Sequence, residues 1–460
     1  METRIPAEPM PRGVVNAYWF QIFNATSWSL ILGTPMLLYL KGLGASGTIL
    51  GIAVALIPLF GVLQIPAASM AERTGYKAFV VRGWASRSVF ILGIAVVTLL
   101  PDWLQPRHRI GLVLLMLTCF AAVRGISMCG YLPWITGIVP ESLRGAFLSR
   151  DTMCMYLAVT ATMLFSSFGV GRESSGYAFS VMFGVSYLAA LGGVFFLRRI
   201  PDLPPVERKA GPTHPPWGAM LRYPPFARYV MFTVSFNAFT AALSVIWVPF
   251  MRDSYLAPQG LILGLSAYSC LIAAAISRLT GKVADRYGSR PLLGVSSGLV
   301  ILGQCLWMSI AAGAIPHRTA ILFVVTTFGA TGFAILGVAS TRLLMGLVPV
   351  MGRSHFFAIS NVANSLTLGL MPVLWGLVFD GLGKVMDDGT RLVRGWTWNR
   401  YSLLYAAAVT GLLAAQFFRR RLNEPKAIST EEFMHILFIR SPVRLVARAM
   451  QPLRRYLPPG

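Results

Sequence analysis

Twelve long apolar runs, separated by short polar breaks, make up most of the chain: 14–40, 47–70, 78–100, 110–138, 146–170, 177–197, 227–251, 259–281, 291–313, 319–348, 355–382 and 401–418. A helix needs about 20 apolar residues to cross the hydrocarbon core of a bilayer, and a helix satisfies its own backbone hydrogen bonds there. The pattern therefore predicts an all-α integral membrane protein with twelve transmembrane helices. The one long break, at 198–226, holds eight prolines between Pro201 and Pro225, which preclude a continuous helix. The chain reads as a six-helix bundle over 1–200, a proline-rich linker over 201–226, a second six-helix bundle over 227–422 and a tail over 423–460.

Composition sharpens this. Of 460 residues 55% are hydrophobic and 12% charged, against about 25% charged in soluble domains. That excludes an ordinary soluble enzyme, a disordered chain and a small disulfide scaffold. The five cysteines (Cys119, Cys129, Cys154, Cys270, Cys305) fall in apolar runs and read as reduced core residues rather than a disulfide framework. The first apolar run is too long for a signal-peptide core and reads as a retained span.

The net charge of +23 has a location. With the N-terminus placed in the cytoplasm, 26 of the 40 Lys and Arg lie in inner segments, counting Arg82, Arg150 and Arg228 at the inner ends of spans, and ten in outer loops, leaving Arg87, Arg124, Arg278 and Arg342 deeper within spans. Positive residues in short loops resist translocation, so both termini are expected in the cytoplasm, in a multi-pass cell-membrane protein. In the tail, Ser429 and Glu432 fit a capping box, followed by Phe433, Ile436 and Leu437 and then Arg440, Arg444 and Arg448, with Pro442 interrupting. The tail reads as a basic amphipathic segment on the anionic cytoplasmic leaflet, so the charge calls for no nucleic acid.

The two halves repeat. ASMAERTGYK at 68–77 aligns with GKVADRYGSR at 281–290 at an offset of 213, matching Ala71, Arg73, Gly75 and Lys77 with Ala284, Arg286, Gly288 and Arg290, and Glu72 with Asp285. Pro140, Arg144 and Phe147 match Pro349, Arg353 and Phe356 at 209, while Pro35 and Gly51 match Pro249 and Gly264 at 214 and 213. The bundles are thus parallel copies, an arrangement that in secondary transporters puts the binding site between them near the midplane.

GKVADRYGSR resembles the loop signature of the major facilitator superfamily, roughly G-x-x-x-D-R-x-G-R-R, and the resemblance extends over the whole chain through the spans, linker and repeat. The first copy departs from it with Ala68 for the glycine, Glu72 for the aspartate and Tyr76 for the first basic residue. Gly75 and Gly288 suit a tight turn, and a carboxylate at such a loop can face a helix N-terminus in the other half. The resemblance implies a conformational latch of Glu72, Arg73, Gly75, Lys77, Asp285, Arg286, Gly288 and Arg290. In it Glu72 faces the Arg353 region and Asp285 the Arg144 region, holding an outward-open or occluded state.

A charge within a span is costly and is a functional candidate. Arg124 lies 15 residues after Arg109 and 16 before Pro140, about 22–24 Å from either at 1.5 Å per residue. It is a candidate contact for an anionic or hydroxyl-rich substrate, or else a buried structural arginine; Met128 stands where the family's R-x-x-x-G pattern has glycine. The resemblance implies that spans 1, 4, 7 and 10 line a cavity. The candidates there are Trp19, Gln21, Asn24, Ser27 and Trp28; Ser127 and Tyr131; Ser235, Asn237 and Thr240; and Thr326, Thr327 and Thr331.

None of the 17 carboxylates is deep in a span, Asp151 and Asp380 being at helix ends, and all five histidines are in loops or at span ends. Span 5 lacks the glycine-rich motif of the family's proton–drug antiporters, and Gly369, Pro372 and Gly376 of span 11 do not supply it. Uniport, anion exchange or coupling through an end group such as Asp151 stays open. No metal-ligand cluster, P-loop or nucleophile elbow is present in the sequence, and no cofactor is expected. The expected function is a monomeric carrier of a small polar organic solute, with Arg124 pointing to an anionic one. A non-transporting sensor would be expected to carry an extra folded cytoplasmic domain, and a membrane enzyme to group carboxylates or histidines at the surface; neither sign is seen.

Overall fold

The computed structural model describes residues 13–100, 104–139, 144–170, 176–202, 217–347, 353–386, 391–393, 396–422, 424 and 432–433. Each of the twelve apolar runs is helical. Span 1 is Val15–Leu32 and Thr34–Gly42, broken at Gly33, where Pro35 enters the first turn of the second piece. Span 2 is Gly47–Gly61 and Gln64–Thr74, span 3 Tyr76–Thr98, span 4 Pro106–Met128 and Tyr131–Ile138. Span 5 is Arg144–Val170 and span 6 Gly176–Arg199. In the second half, span 7 is Pro224–Pro249 with a π turn over Phe250–Ser254, and span 8 is Gln259–Tyr287. Spans 9 to 12 are Ser289–Ala311, Thr319–Leu347, Arg353–Met386 and Arg400–Arg420.

Ten of these helices are long and apolar enough to cross a membrane. Span 1 is divided by its break, and span 5 opens with Arg144, Arg150 and Asp151. The outer faces carry large exposed apolar side chains such as Val89, Leu188 and Phe168, the surface that lipid covers. The five cysteines are free thiols, each partly buried.

Local chemistry sets the joints. Ser46 caps span 2 by accepting the Ile49 N–H at 3.3 Å. Asn399 and Ser402 form a reciprocal capping box at span 12, satisfying otherwise orphaned donors. Spans 2 and 3, and likewise 8 and 9, are joined through a single glycine: Gly75 at φ 82° and Gly288 at φ 87°, a conformation that side-chain-bearing residues adopt at a cost. The matched glycines of the two loop copies thus do the same work.

Helix packing makes the repeat three-dimensional. Span 1 packs on spans 5 and 6, span 3 on 4 and 6, and span 2 on 4. In the other half, span 7 packs on 11 and 12, span 9 on 10 and 12, and span 8 on 10. The bundles are pseudo-symmetric, and they meet through spans 2 with 11 and 5 with 8. The end bearing Gly75 and Gly288 is called the loop end below; the opposite, distal end bears the turns at Gly44 and Leu256.

Those distal turns differ in one respect. Gly44 has φ 83°, whereas Leu256, in the corresponding turn, has φ 56° with its side chain 78% exposed. A leucine there is strained by about 1 kcal/mol with little packing to offset it. Leu256→Gly is expected to raise the melting temperature of the purified protein, as read by thermal unfolding in detergent.

The latch pairs Glu72–Arg353 and Asp285–Arg144 rest on side chains outside the described residues, as do most of the linker and the amphipathic tail. From the tail, Phe433 packs on Tyr287 with ring centroids 5.4 Å apart. Glu424 accepts the backbone N–H groups of Ser289 and Arg290, both at 2.8 Å, and pairs with Arg342 at 3.5 Å. The carboxylate thereby caps the first turn of span 9.

Candidate substrate cavity

A cavity of about 540 Å³ lies between the bundles. Its wall takes Trp28 from span 1, Pro58 from span 2, Arg124 from span 4, Thr240 from span 7, Phe333 from span 10 and Pro372 from span 11. A second hollow of about 440 Å³ runs into the second bundle and shares Leu243, Ser244 and Phe333 with the first. Both are walled mainly by apolar side chains.

Arg124 is placed by its neighbour. A Cβ on Gly125 would collide with the Phe60 backbone carbonyl, so the glycine lets span 4 close on span 2 and sets Arg124 in the cavity wall. Among the described residues no carboxylate pairs with its guanidinium. A second cation lies deeper: Arg87 of span 3 is 4% exposed. It donates to Asn24 Oδ1 and sits 4.2 Å from the Trp84 ring and 5.4 Å from that of Phe120, contacts of the cation–π kind. Trp84 also donates to Asn24 Oδ1, at 3.3 Å. Asn24 is therefore the acceptor that holds a buried guanidinium, and hydrogen bonds to charged groups are worth about 1.5–3 kcal/mol. Asn24→Leu is expected to destabilise the protein by about that amount, measured as a lowered melting temperature, with a smaller loss for Asn24→Asp.

The other candidates take varied places. Thr240 and Trp28 line the central cavity and Thr326 the second hollow. Trp19 is 49% exposed and stacks on Phe196. Ser27 bonds Ser186 across spans 1 and 6 at 3.2 Å, and Ser127 donates to the Val123 carbonyl of its own helix at 2.8 Å. Asn237 donates to Asn364 Oδ1 at 2.9 Å in a separate pocket of about 220 Å³. Thr327 and the Tyr268 hydroxyl are 2.8 Å apart. Gln21 is partly buried on span 1, as is Ser235 on span 7 and Thr331 on span 10, and none of the three lines either hollow. Toward the loop end, Asp151 Oδ1 and the Tyr131 hydroxyl are buried without a hydrogen-bond partner among the described residues. At the matching place in the second half, Tyr229 faces the hydroxyls of Ser340 and Ser360, residues that correspond to Tyr131 and Asp151 at the offset of 209.

The distal end closes the cavity through contacts between the halves. Asp380 Oδ1 accepts the Gly47 N–H, and Oδ2 the Thr48 N–H, each at 2.8 Å, with the Thr48 hydroxyl adding a third bond. Lys41 meets Asp253 at 2.7 Å, and Ser167 donates to the Gly260 carbonyl at 2.6 Å. Thr34 and Ser266 hydroxyls are 2.9 Å apart. Glycines permit this approach: a Cβ on Gly51 would overlap the Pro372 carbonyl, and one on Gly376 the Gly47 carbonyl. Gly47 and Gly51, and equally Gly260 and Gly264, are four residues apart in matching positions of the two halves. This small-x-x-x-small spacing lets membrane helices pack closely and was the available signal for the interface. The 64–74 continuation of span 2, by contrast, packs on spans 3 and 4 of its own half.

Comparison with known proteins agrees with this architecture. A family model of the Major Facilitator Superfamily matches residues 17–334 and 257–456. No curated protein matches. Among solved structures, a D-xylose–proton symporter is 14% identical with a TM-score of 0.65, over 91% of this chain and 98% of its own. A bacterial homologue of the human lysosomal transporter Spinster, solved inward-facing and unoccupied, is 14% identical with a TM-score of 0.62, over 88% and 95%. The nucleoside transporter NupG is 14% identical with a TM-score of 0.61, over 90% and 99%. With twelve helices in two pseudo-symmetric bundles and a family match along nearly its whole length, the chain belongs to the major facilitator superfamily.

Proposed function

We propose that the protein is a secondary carrier that moves a small organic solute bearing an anionic group across the cell membrane by alternating access. The observation that carries this reading is Arg124 in the wall of a largely apolar cavity between the two bundles, with no carboxylate paired to it among the described residues. A guanidinium in a low-dielectric wall attracts an anion more strongly than it would in water, and its planar fork suits carboxylate or phosphate oxygens. The cation-rich loop end lies on the cytoplasmic side, so the distal closure makes this conformation inward-facing. Rocking of the bundles would then part Asp380 from span 2 and bring the two loop copies, with Glu72 and Asp285, against Arg353 and Arg144. The protein acts as a monomer, as each chain contains a complete pair of bundles.

The test is a thermal-shift screen of organic anions against purified protein, followed by uptake of any stabilising compound into proteoliposomes. Arg124→Gln is expected to weaken binding of the stabilising anion by tenfold or more, about 1.4 kcal/mol, while leaving its uncharged amide unaffected. Equal stabilisation of parent and variant by the anion would overturn the role of Arg124.

A further inference from the structure

We propose that the hollow inside the second bundle is a binding lobe for a ring-shaped apolar body carrying a hydrogen-bond donor, so that the carried solute is an amphipathic organic anion with its charged end at Arg124. This rests on the carrier reading above and extends it to helices outside the cavity-lining set, spans 8, 9 and 12.

Three observations converge. The lobe holds about 440 Å³, within the usual range for small-molecule sites and far beyond the voids that close-packed interiors leave. It adjoins the central cavity, with Leu243, Ser244 and Phe333 lining both, so a single molecule reaching past these three side chains would span both. Its wall combines the aromatic side chains of Trp247 and Trp307, which suit an aromatic ring, with Gln304 and Tyr405. Those two side chains are 3% and 0% exposed, and both Gln304 Oε1 and the Tyr405 hydroxyl are buried without a hydrogen-bond partner among the described residues. Buried polar groups are ordinarily paired. An amide oxygen accepts and cannot donate, so the partner that Gln304 Oε1 calls for is an N–H or O–H on an otherwise apolar body. Tyr156 of span 5 adds a residue of the first half to the same wall, which ties the lobe to the interface that moves.

Four probes separate the contributions: indole-3-acetate (ring, donor and anion), naphthalene-1-acetate (ring and anion), indole-3-acetamide (ring and donor, uncharged) and acetate (anion alone). Binding to the full-length purified protein is measured by calorimetry. Cys270, which lines the lobe, gives a second readout in a variant whose other four cysteines are serine, through the rate of its alkylation by N-ethylmaleimide. Indole-3-acetate is expected to bind at least tenfold more tightly than each of the others and to slow Cys270 alkylation. Gln304→Leu should bring it down to the level of naphthalene-1-acetate. Gly329→Leu, where an added Cβ meets no atom within 4 Å, fills the lobe without disturbing the helix and should abolish binding of all three ring probes.

Ring probes that bind no better than acetate, or that ignore Gly329→Leu, overturn the lobe. Protection of Cys270 by added phospholipid but by none of the ring probes overturns it too, assigning the hollow to a lipid chain. Failure of the carrier reading looks different: anion binding would be indifferent to Arg124→Gln, while the neutral indole-3-acetamide would still respond to Gln304→Leu and Gly329→Leu.

Discussion

Asp380→Ala is expected to open the distal end. One carboxylate holds the first turn of span 2 through two backbone N–H groups and the Thr48 hydroxyl, and it does so from the opposite bundle. Hydrogen bonds to a charged group are worth about 1.5–3 kcal/mol, and the N-terminus of a helix favours negative charge further. Removing all three contacts is expected to shift the balance between distal-closed and distal-open forms by about 3 kcal/mol, or more than a hundredfold. Spin labels at Gly42→Cys and Val385→Cys, exposed positions on the two bundles, report the separation by pulsed electron resonance. A longer distance population should dominate in Asp380→Ala. An unchanged distribution would show that the packing of spans 2 and 11 alone holds this end. The Lys41–Asp253 pair also bridges the halves, but both side chains are partly exposed, and such pairs contribute about 0–1 kcal/mol.

Gly51→Val should have an effect of comparable size by a different route. The added Cβ would overlap the Pro372 backbone carbonyl, and a carbonyl locked in a helix cannot rotate away as a side-chain tip would. Spans 2 and 11 must then separate along their crossing, at a cost of about 3 kcal/mol. The expected result is a sharply lowered melting temperature together with the same widened distal distance as in Asp380→Ala. Gly264→Val, at the matching position of span 8, is a milder counterpart. There the nearest atom to an added Cβ is the Ser167 hydroxyl at 3.5 Å, so the change should be tolerated. Equal effects at the two glycines would contradict the asymmetry of the interface.

The candidate site was legible in part. Arg124 stood out because a charge far from either end of an apolar run is costly, and its place in the cavity wall follows from Gly125 beside it. Asn24 was legible as a polar residue on a cavity helix, but its partner was not. That it serves Arg87 depends on the rotation of span 1 against span 3, and a polar residue on a bundled helix points inward whether it meets a ligand or a neighbour. Gln304 and Tyr405 gave no signal at all. They lie on spans 9 and 12, where single polar residues in apolar runs resemble ordinary packing contacts, and only the absence of a partner in three dimensions distinguishes them. Asp380 looked like a charge at a helix end; its role appears only when span 11 is laid against span 2.

The sequence by itself determined the membrane setting, the twelve spans, the duplication and the one-glycine joints at Gly75 and Gly288. These are consequences of hydropathy, length and backbone sterics, which act locally or repeat at a fixed interval. Which end is closed, which polar groups are spent on one another and where empty volume remains were decided by the tertiary structure alone. Each depends on how helices distant in the chain are rotated and spaced, and in a bilayer, where lipid is as apolar as the helix faces, the hydrophobic pattern leaves that rotation free.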